Sequence, residues 1–261
     1  MLEEEKRVVR EAVLQAGNEI SRIAREGFET SYKENTDPLT TADLAANTIL
    51  RERLMGAFPS DGWLSEETVD DTGRLTCERV WVVDPIDGTK EFVEGVPEYA
   101  ISVALVNKGK PVLGVVYNPA TEEYFEAVKG DGATLNGELI CVPSTVPDKP
   151  VVLASRSELK RGEFDPFNGV FEVRPVGSIA YKLAVLAAGK ADATFSLSPK
   201  NEWDIAAGVL LVEEAGGQTG DKQLKPFVFN QQNTLVTGII ATSEVSFHTV
   251  NGQIDSLGLR G

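Results

Sequence analysis

The sequence predicts an α+β fold of stacked sheets and helices, and three observations carry that expectation. Residues 2–58 hold two helical patterns. Residues 99–137 hold three strand-like runs separated by turn residues. The second half then alternates apolar runs with helical segments that end in glycine.

From Leu2 to Phe28, the residues Val9, Val13, Ala16, Ile20, Ile23 and Phe28 recur at spacings of three to five. That spacing predicts an amphipathic helix. The stretch TDPLTTADLAAN opens on a proline and threonines, which read as a loop and a helix cap, and the helix then runs to about Phe58. VWVVD, from Val80 to Asp84, is short and apolar and predicts a buried strand. The runs between Tyr99 and Gly137 are broken at Asn-Lys-Gly and Asn-Pro, which predicts an antiparallel meander. PVVLAS, from Pro150, starts a new strand, SIAYKLAVLAAG is a helix ending at Gly189, and ADATFSL is a strand. WDIAAGVLLVEEAGG is a helix stopped by Gly216 and Gly217, and TLVTGIIATS is a late strand. CVPSTVPDKP is the best boundary candidate, dividing the chain into an N-terminal α+β half, 1–148, and a C-terminal half, 149–261. No repeat or low-complexity linker interrupts the pattern.

Composition narrows the function classes. The chain has 261 residues, 42% of them hydrophobic, enough for a sizeable core. Its 40 acidic and 25 basic residues leave a formal net charge of −15. Such a surface repels nucleic acid and anionic membrane, so neither is an expected partner. The N-terminus, MLEEEKRVVREAV, lacks the basic and apolar regions of a signal peptide. No apolar run reaches the ~20 residues of a membrane span. Cys77 and Cys141 form no paired motif and are expected to pack as small apolar residues in a reducing compartment. A cytoplasmic enzyme or binding protein is the expectation. The single histidine, His248, reads as a surface or loop residue, so carboxylates, hydroxyls and metal ions must carry any catalysis.

The segment WVVDPIDGTKEF, Trp81 to Phe92, sets Asp84 and Asp87 on either side of Pro85 and Ile86. Proline fixes φ and removes a donor, so the chain bends there. The Ile86 carbonyl can then turn toward the same centre as the two carboxylates. Hard oxygen ligands of this kind suit Mg²⁺. Gly88 and Thr89 follow, opening a short helix whose exposed N–H groups form an anion site. The same residues are also those of an Asx-turn with solvated aspartates. Glu66 and Glu67 follow another apolar approach in WLSEE. Asp204 and Asp43 each fall in the first turn of a predicted helix, where aspartate also serves as a cap or dipole partner.

Together, LTTADLAAN, LSEE, WVVDPIDGTKEF, VGSIAYKL and WDIAAG stand in the order and rough spacing of the inositol monophosphatase superfamily, which this chain resembles from about Leu39 to Gly217. Within it, DPIDGTKEF looks most like the 3′(2′),5′-bisphosphate nucleotidases, which act in sulfur metabolism. The resemblance implies an α-β-α-β-α sandwich and a lithium-sensitive phosphatase that uses two or three Mg²⁺ ions on a small phosphorylated substrate, as a monomer or homodimer. It places metal ligands at Glu66, Asp84, the Ile86 carbonyl, Asp87 and Asp204, with Glu67 more doubtful. It assigns Asp43 and Thr89 to orienting the attacking water, with Glu66 beside them in catalysis. It assigns Gly88 and Thr89 to the phosphate and Asp204 also to substrate. The divalent ions would then explain how two aspartates share one centre.

The departures bear on substrate. Inositol monophosphatases carry an acidic residue about seven positions before the W-D aspartate. This chain has Ser196 and Leu197 there, in FSLSPKNEWD. The loop supplies Lys200, which could meet a second phosphate. GSIAYKL sets Lys182 one residue later than the nucleotidase pattern, a rotation of ~100° on a helix; Ser178 still matches. Lys182 and Lys200 equally suit solvated surface lysines. The leading expectation is hydrolysis of adenosine 3′,5′-bisphosphate. The rivals are inositol monophosphate, fructose 1,6-bisphosphate or another sugar phosphate, and a catalytically silent regulator.

Overall fold

Three glutamates, Glu3 to Glu5, open the first helix, α1 (Glu3–Glu26), where carboxylates favour the helix dipole. Its Val9, Val13, Ala16 and Ile20 are buried. The computed structural model describes residues 2–33, 37–70, 72–145 and 147–260. A hairpin of β1 (Thr30–Tyr32) and β2 (Pro38–Thr40) leads into α2 (Thr41–Ala57), capped by the Thr40 side chain. Then come β3 (Gly62–Ser65), β4 (Arg79–Asp87), the single-turn α3 (Thr89–Glu94), β5 (Ala100–Asn107), β6 (Lys110–Asn118), β7 (Glu123–Val128), β8 (Gly132–Leu135) and β9 (Glu138–Ile140). These strands form one seven-stranded sheet in sequence order. β3 runs parallel to β4, and the rest is the antiparallel meander that the Asn-Lys-Gly and Asn-Pro turns predicted.

The second half gives β10 (Val151–Ala154), α4 (Arg156–Lys160), β11 (Glu172–Pro175), α5 (Ile179–Ala187), β12 (Ala193–Ser196), β13 (Lys200–Asn201), α6 (Glu202–Glu214), β14 (Gly217–Gly220), β15 (Leu235–Val236), β16 (Ile239–Ser243) and α7 (Phe247–Ser256). A five-stranded sheet follows the order β11-β10-β12-β16-β14. The chain passes from one sheet to the other across residues 141–150, of which Val146 lies outside the described residues.

Three apolar cores show how the layers stack. α1 and α2 pack through Val13, Ile20 and Leu50 on Trp81, Val83 and Ile101 of the first sheet. The opposite face, Val80, Val82 and Ala104, meets Leu183 of α5 and Leu210 of α6, which also cover Ile239 and Ala241 of the second sheet. The far side of that sheet packs Phe195 and Ile240 on Val250 and Ile254 of α7. The order is α-β-α-β-α, as expected. α6 lies so close to β6 that a Cβ on Gly114 would stand 2.9 Å from the Ala207 carbonyl oxygen.

Several details differ from the sequence reading. The VWVVD strand continues through Asp87. TLVTGIIATS is two strands, because Leu235–Val236 leaves to pair with Lys200–Asn201 before Gly238 turns the chain back. Cys141 is exposed rather than packed, since it follows the edge strand β9. Cys77 is half-buried against the middle core, and His248 is exposed on α7. No helix among the described residues is long and apolar enough to cross a membrane.

Candidate active site

The parallel pairing of β3 and β4 sets Ser65 beside Val83, so Glu66 and Asp84 emerge next to each other from one sheet end. The register with β5 then slips, because Asp84 faces Ser102 while Asp87 faces Ala100. Three steps on β4 oppose two on β5, a bulge that re-aims the strand's last side chains. Asp84 Oδ1 accepts the Ile86 N–H at 3.0 Å. The Asx-turn forms, but on a buried rather than a solvated aspartate, and it orients the carboxylate through one oxygen.

Asp204 comes from the first turn of α6. Its Oδ2 accepts the Asn201 N–H at 2.9 Å, so it also caps its helix. Glu66, Asp84 and Asp204 bring ligand oxygens within 4.8 Å of one another. Burial pushes Asp84 and Asp204 well above the ordinary carboxylate range, and the neighbouring carboxylates add to the shift. The site is thus short of positive charge. Hard oxygen donors, without nitrogen or sulfur, fit Mg²⁺ in both chemistry and sign.

Asp87 is held differently from Asp84. Its Oδ2 accepts the Ser178 hydroxyl at 2.5 Å and the Ala180 N–H at 2.6 Å. Burial raises its pKa, with those two bonds opposing. The Ser178 hydroxyl also accepts the Tyr181 N–H at 3.0 Å. Ser178 therefore caps α5 and orients Asp87, with its one proton committed to that carboxylate. The Thr89 hydroxyl lies 3.0 Å from the Ile86 carbonyl oxygen and 3.1 Å from Asp43 Oδ1, two acceptors for its one proton. Asp43 Oδ2 accepts both the N–H and the hydroxyl of Thr40, at 2.7 and 2.6 Å. Burial raises the Asp43 pKa against these bonds.

Gly88 sits at φ 96°, and a Cβ there would stand 3.1 Å from the Glu98 carbonyl oxygen and 3.2 Å from Ser178 Cβ. Gly88→Ala should cost roughly 1–3 kcal/mol and cut turnover by tilting the Gly88 and Thr89 N–H groups. Thermal unfolding and phosphate release check this; an unchanged midpoint would show a loop that adjusts without strain.

The cleft holds about 290 Å³, with Glu66, Asp84, Thr89, Glu158, Lys182 and Lys200 among its walls. Lys182 is not a solvated surface residue. It is 1% exposed and lies 3.5 Å from Glu158 Oε2. Lys200 is half-buried at the cleft and makes no ion pair among the described residues. Burial lowers the Lys182 pKa; Glu158 and Asp87 oppose the shift, and Lys200 adds to it.

Two residues escaped the sequence reading. Lys33 bonds Glu66 Oε1 and Glu67 Oε1, each at 2.6 Å. Although burial opposes it, the glutamates hold Lys33 above its usual range. Lys33 thereby occupies one oxygen of each glutamate. No local signal marks Lys33. Glu158 could have been found as the fourth residue of the capping box Ser155-Arg156-Ser157-Glu158.

Oxygen donors short of positive charge, beside backbone N–H groups at a helix start, make a site for metal-assisted chemistry on phosphate esters. A sequence profile of the inositol monophosphatase family matches residues 1–252. The chain belongs to that family, whose phosphatases are generally Mg²⁺-dependent phosphoric monoester hydrolases. It is 37% identical to an inositol-1-monophosphatase of Rhizobium meliloti over 83% of this chain and 85% of the relative. The fold matches a Thermotoga maritima IMPase with TM-score 0.85 and 27% identity, over 100% of both chains. CysQ from Bacteroides thetaiotaomicron, a bacterial member of the family, matches with TM-score 0.78 and 28% identity over 94% of this chain and 98% of CysQ.

Proposed function

We propose that the protein removes the 3′-phosphate from adenosine 3′,5′-bisphosphate, leaving AMP. The carrying observation is Lys200, a lysine without an ion-pair partner among the described residues, close enough to the buried Lys182 to depress its pKa. Only one carboxylate, Glu158, is paired with these two cations among the described residues. A second phosphate would relieve their repulsion and gain a charge-assisted hydrogen bond. Leu197, at the position where sugar hydroxyls would meet an acid, agrees with this choice.

Glu66, Asp84 and Asp204 would hold divalent ions, with Asp87 and the Ile86 carbonyl as further donors; bound there, the ions neutralise phosphate charge and acidify a bound water. The N–H groups of Gly88 and Thr89 hold phosphate oxygens. Thr89 has one hydroxyl proton and two acceptors in reach, Asp43 Oδ1 and the Ile86 carbonyl. Donating to the charged Asp43 gives the stronger bond. The Thr89 oxygen then accepts a proton-bearing edge of the attacking water and aims its lone pair at phosphorus.

A second reading, hydrolysis of inositol 1-phosphate, is favoured by relatives such as the Rhizobium meliloti inositol-1-monophosphatase. Phosphate release with Mg²⁺ from both substrates and from adenosine 3′-phosphate separates the two. The bisphosphate should show the highest kcat/KM. Lys200→Ala should lower kcat/KM for the bisphosphate by roughly one to two decades and leave adenosine 3′-phosphate nearly unaffected. Higher kcat/KM for inositol 1-phosphate would establish the second reading instead.

A further inference from the structure

Ser102 stands on β5 directly opposite Asp84 of β4. Residues opposed in an antiparallel ladder point to the same face, with Cβ atoms roughly 5 Å apart. α6 covers that face, and the Ser102 hydroxyl donates across the gap to the Trp203 carbonyl at 3.1 Å. Ser102 is 1% exposed, so it does not touch substrate. Trp203 is the residue before Asp204. A single planar peptide unit carries the Trp203 carbonyl and the Asp204 Cα, so a bond that fixes the first also fixes the second. The Asp204 carboxylate is fixed in turn by the Asn201 N–H at 2.9 Å.

The charges create the need for such a tie. Asp84 comes from a strand and Asp204 from a helix packed over it, and the negative charge of Asp204 is felt at Asp84. With no ion between them, the two carboxylates repel and favour separation of α6 from β4. Apolar packing is non-directional, so it resists that separation without setting a position. The Trp203 indole supplies no polar anchor, because its Nε1 is buried without a hydrogen-bond partner among the described residues. Among those residues, the Ser102 bond is the one side-chain hydrogen bond from the seven-stranded sheet to the first turn of α6. We propose that Ser102 is a positioning residue for the metal ligands: its hydroxyl sets the spacing of Asp84 and Asp204 before a divalent ion arrives. Ligands oriented in advance by such outer contacts bind the ion more tightly. This role rests on the metal-assisted reading of the site and extends it to a residue outside the ligand set.

Mn²⁺ binding, read from the paramagnetic resonance of the free ion, checks this without any substrate. Ser102→Ala removes the donor and adds no atom, so it introduces no clash. It should weaken Mn²⁺ binding by roughly twofold to tenfold, the worth of one buried hydrogen bond. The Mg²⁺ needed for half-maximal phosphate release should rise by the same factor, and turnover should recover at saturating Mg²⁺. Thr194→Val is the control. The Thr194 hydroxyl also donates to a backbone carbonyl, that of Leu153 at 3.0 Å, but in the second sheet and outside the cleft walls. Its loss should lower the thermal unfolding midpoint and leave Mn²⁺ binding unchanged. Wild-type affinity in Ser102→Ala overturns the role, and so does equal weakening in both variants, which would mark a general loss of rigidity. A wild type that binds no Mn²⁺ overturns the metal-assisted reading and the role of Ser102 with it.

Discussion

Asp84→Asn should abolish phosphate release while raising the thermal stability of the metal-free protein. The two effects have one cause. Asp84 is buried among Glu66, Asp87 and Asp204, and its pKa is raised first by burial and then by those charges. In the folded chain without divalent ions, its negative charge is therefore unfavourable. A carboxyl with a raised folded pKa binds its proton more tightly when folded than when unfolded. Its contribution to stability is fully present below the unfolded value, near ~4. That contribution is lost as pH rises through the folded value. The metal-free wild type should thus unfold at falling temperature as pH climbs from the unfolded value, about 4, toward the raised folded one. Mg²⁺ should reverse the trend by stabilising the charged form. The Asp84→Asn substitution would remove most of the slope and most of the response to Mg²⁺. Activity should drop by roughly 10³-fold or more, because the charge stabilisation supplied by a bound ion amounts to several kcal/mol. Scanning unfolding over pH, with and without Mg²⁺, together with turnover at saturating Mg²⁺, checks both halves. Equal turnover would remove Asp84 from the site, and an unchanged slope would show that its buried charge is compensated elsewhere.

The same carboxylates explain what the sequence does and does not reveal. Periodicity marked α1, which buries an apolar stripe against a sheet; α2 was marked by its cap, and α5 and α6, buried between two sheets, by the glycines that follow them. α7 was missed because only Val250 and Ile254 carry its buried apolar face. The hairpin of β1 and β2 and the pairing of β13 with β15 are two or three residues long, too short for any period to register. At the site, Asp43 and Asp204 fit two descriptions, helix cap and functional carboxylate, and the structure gives each one oxygen for capping. Local sequence cannot separate those roles, since both place aspartate in a first turn. Glu66 and Asp84 could be paired only through the parallel register of β3 and β4. Lys33 acts on partners 33 and 34 residues along the chain, so no motif announces it, whereas the capping box that marks Glu158 gives no sign of its pairing with Lys182. Ser178 was singled out only by the resemblance, and its partner, Asp87, lies 91 residues away.

Thr89→Ala should lower kcat far more than it raises KM, and Asp43→Asn should do the same to a similar degree. Thr89 Oγ1 stands between Asp43 Oδ1 at 3.1 Å and the Ile86 carbonyl at 3.0 Å. It has a single proton to donate, so only one of these bonds exists at a time. With Asp43 charged, the proton points to Asp43, and the lone pairs are available to a water. In the Asp43→Asn variant, the new amide can present its N–H to Thr89 and turn that hydroxyl toward Ile86, which withdraws the lone pair. Burial already raises the Asp43 pKa against its bonds to Thr40 and Thr89. Protonation at low pH should therefore imitate Asp43→Asn, and kcat should fall on the acid side at a higher pH than a free aspartate would give. Removing a group that positions and polarises the nucleophile typically lowers the rate by ~10²–10⁴-fold. Steady-state kinetics of both variants across pH provide the check, read as separate changes in kcat and KM. Asp43→Asn also tests the cap, since an amide can still accept from the Thr40 N–H. A loss of kcat with unfolding unchanged therefore places the effect in water activation. A variant whose KM alone changed would move the pair out of catalysis and into substrate binding.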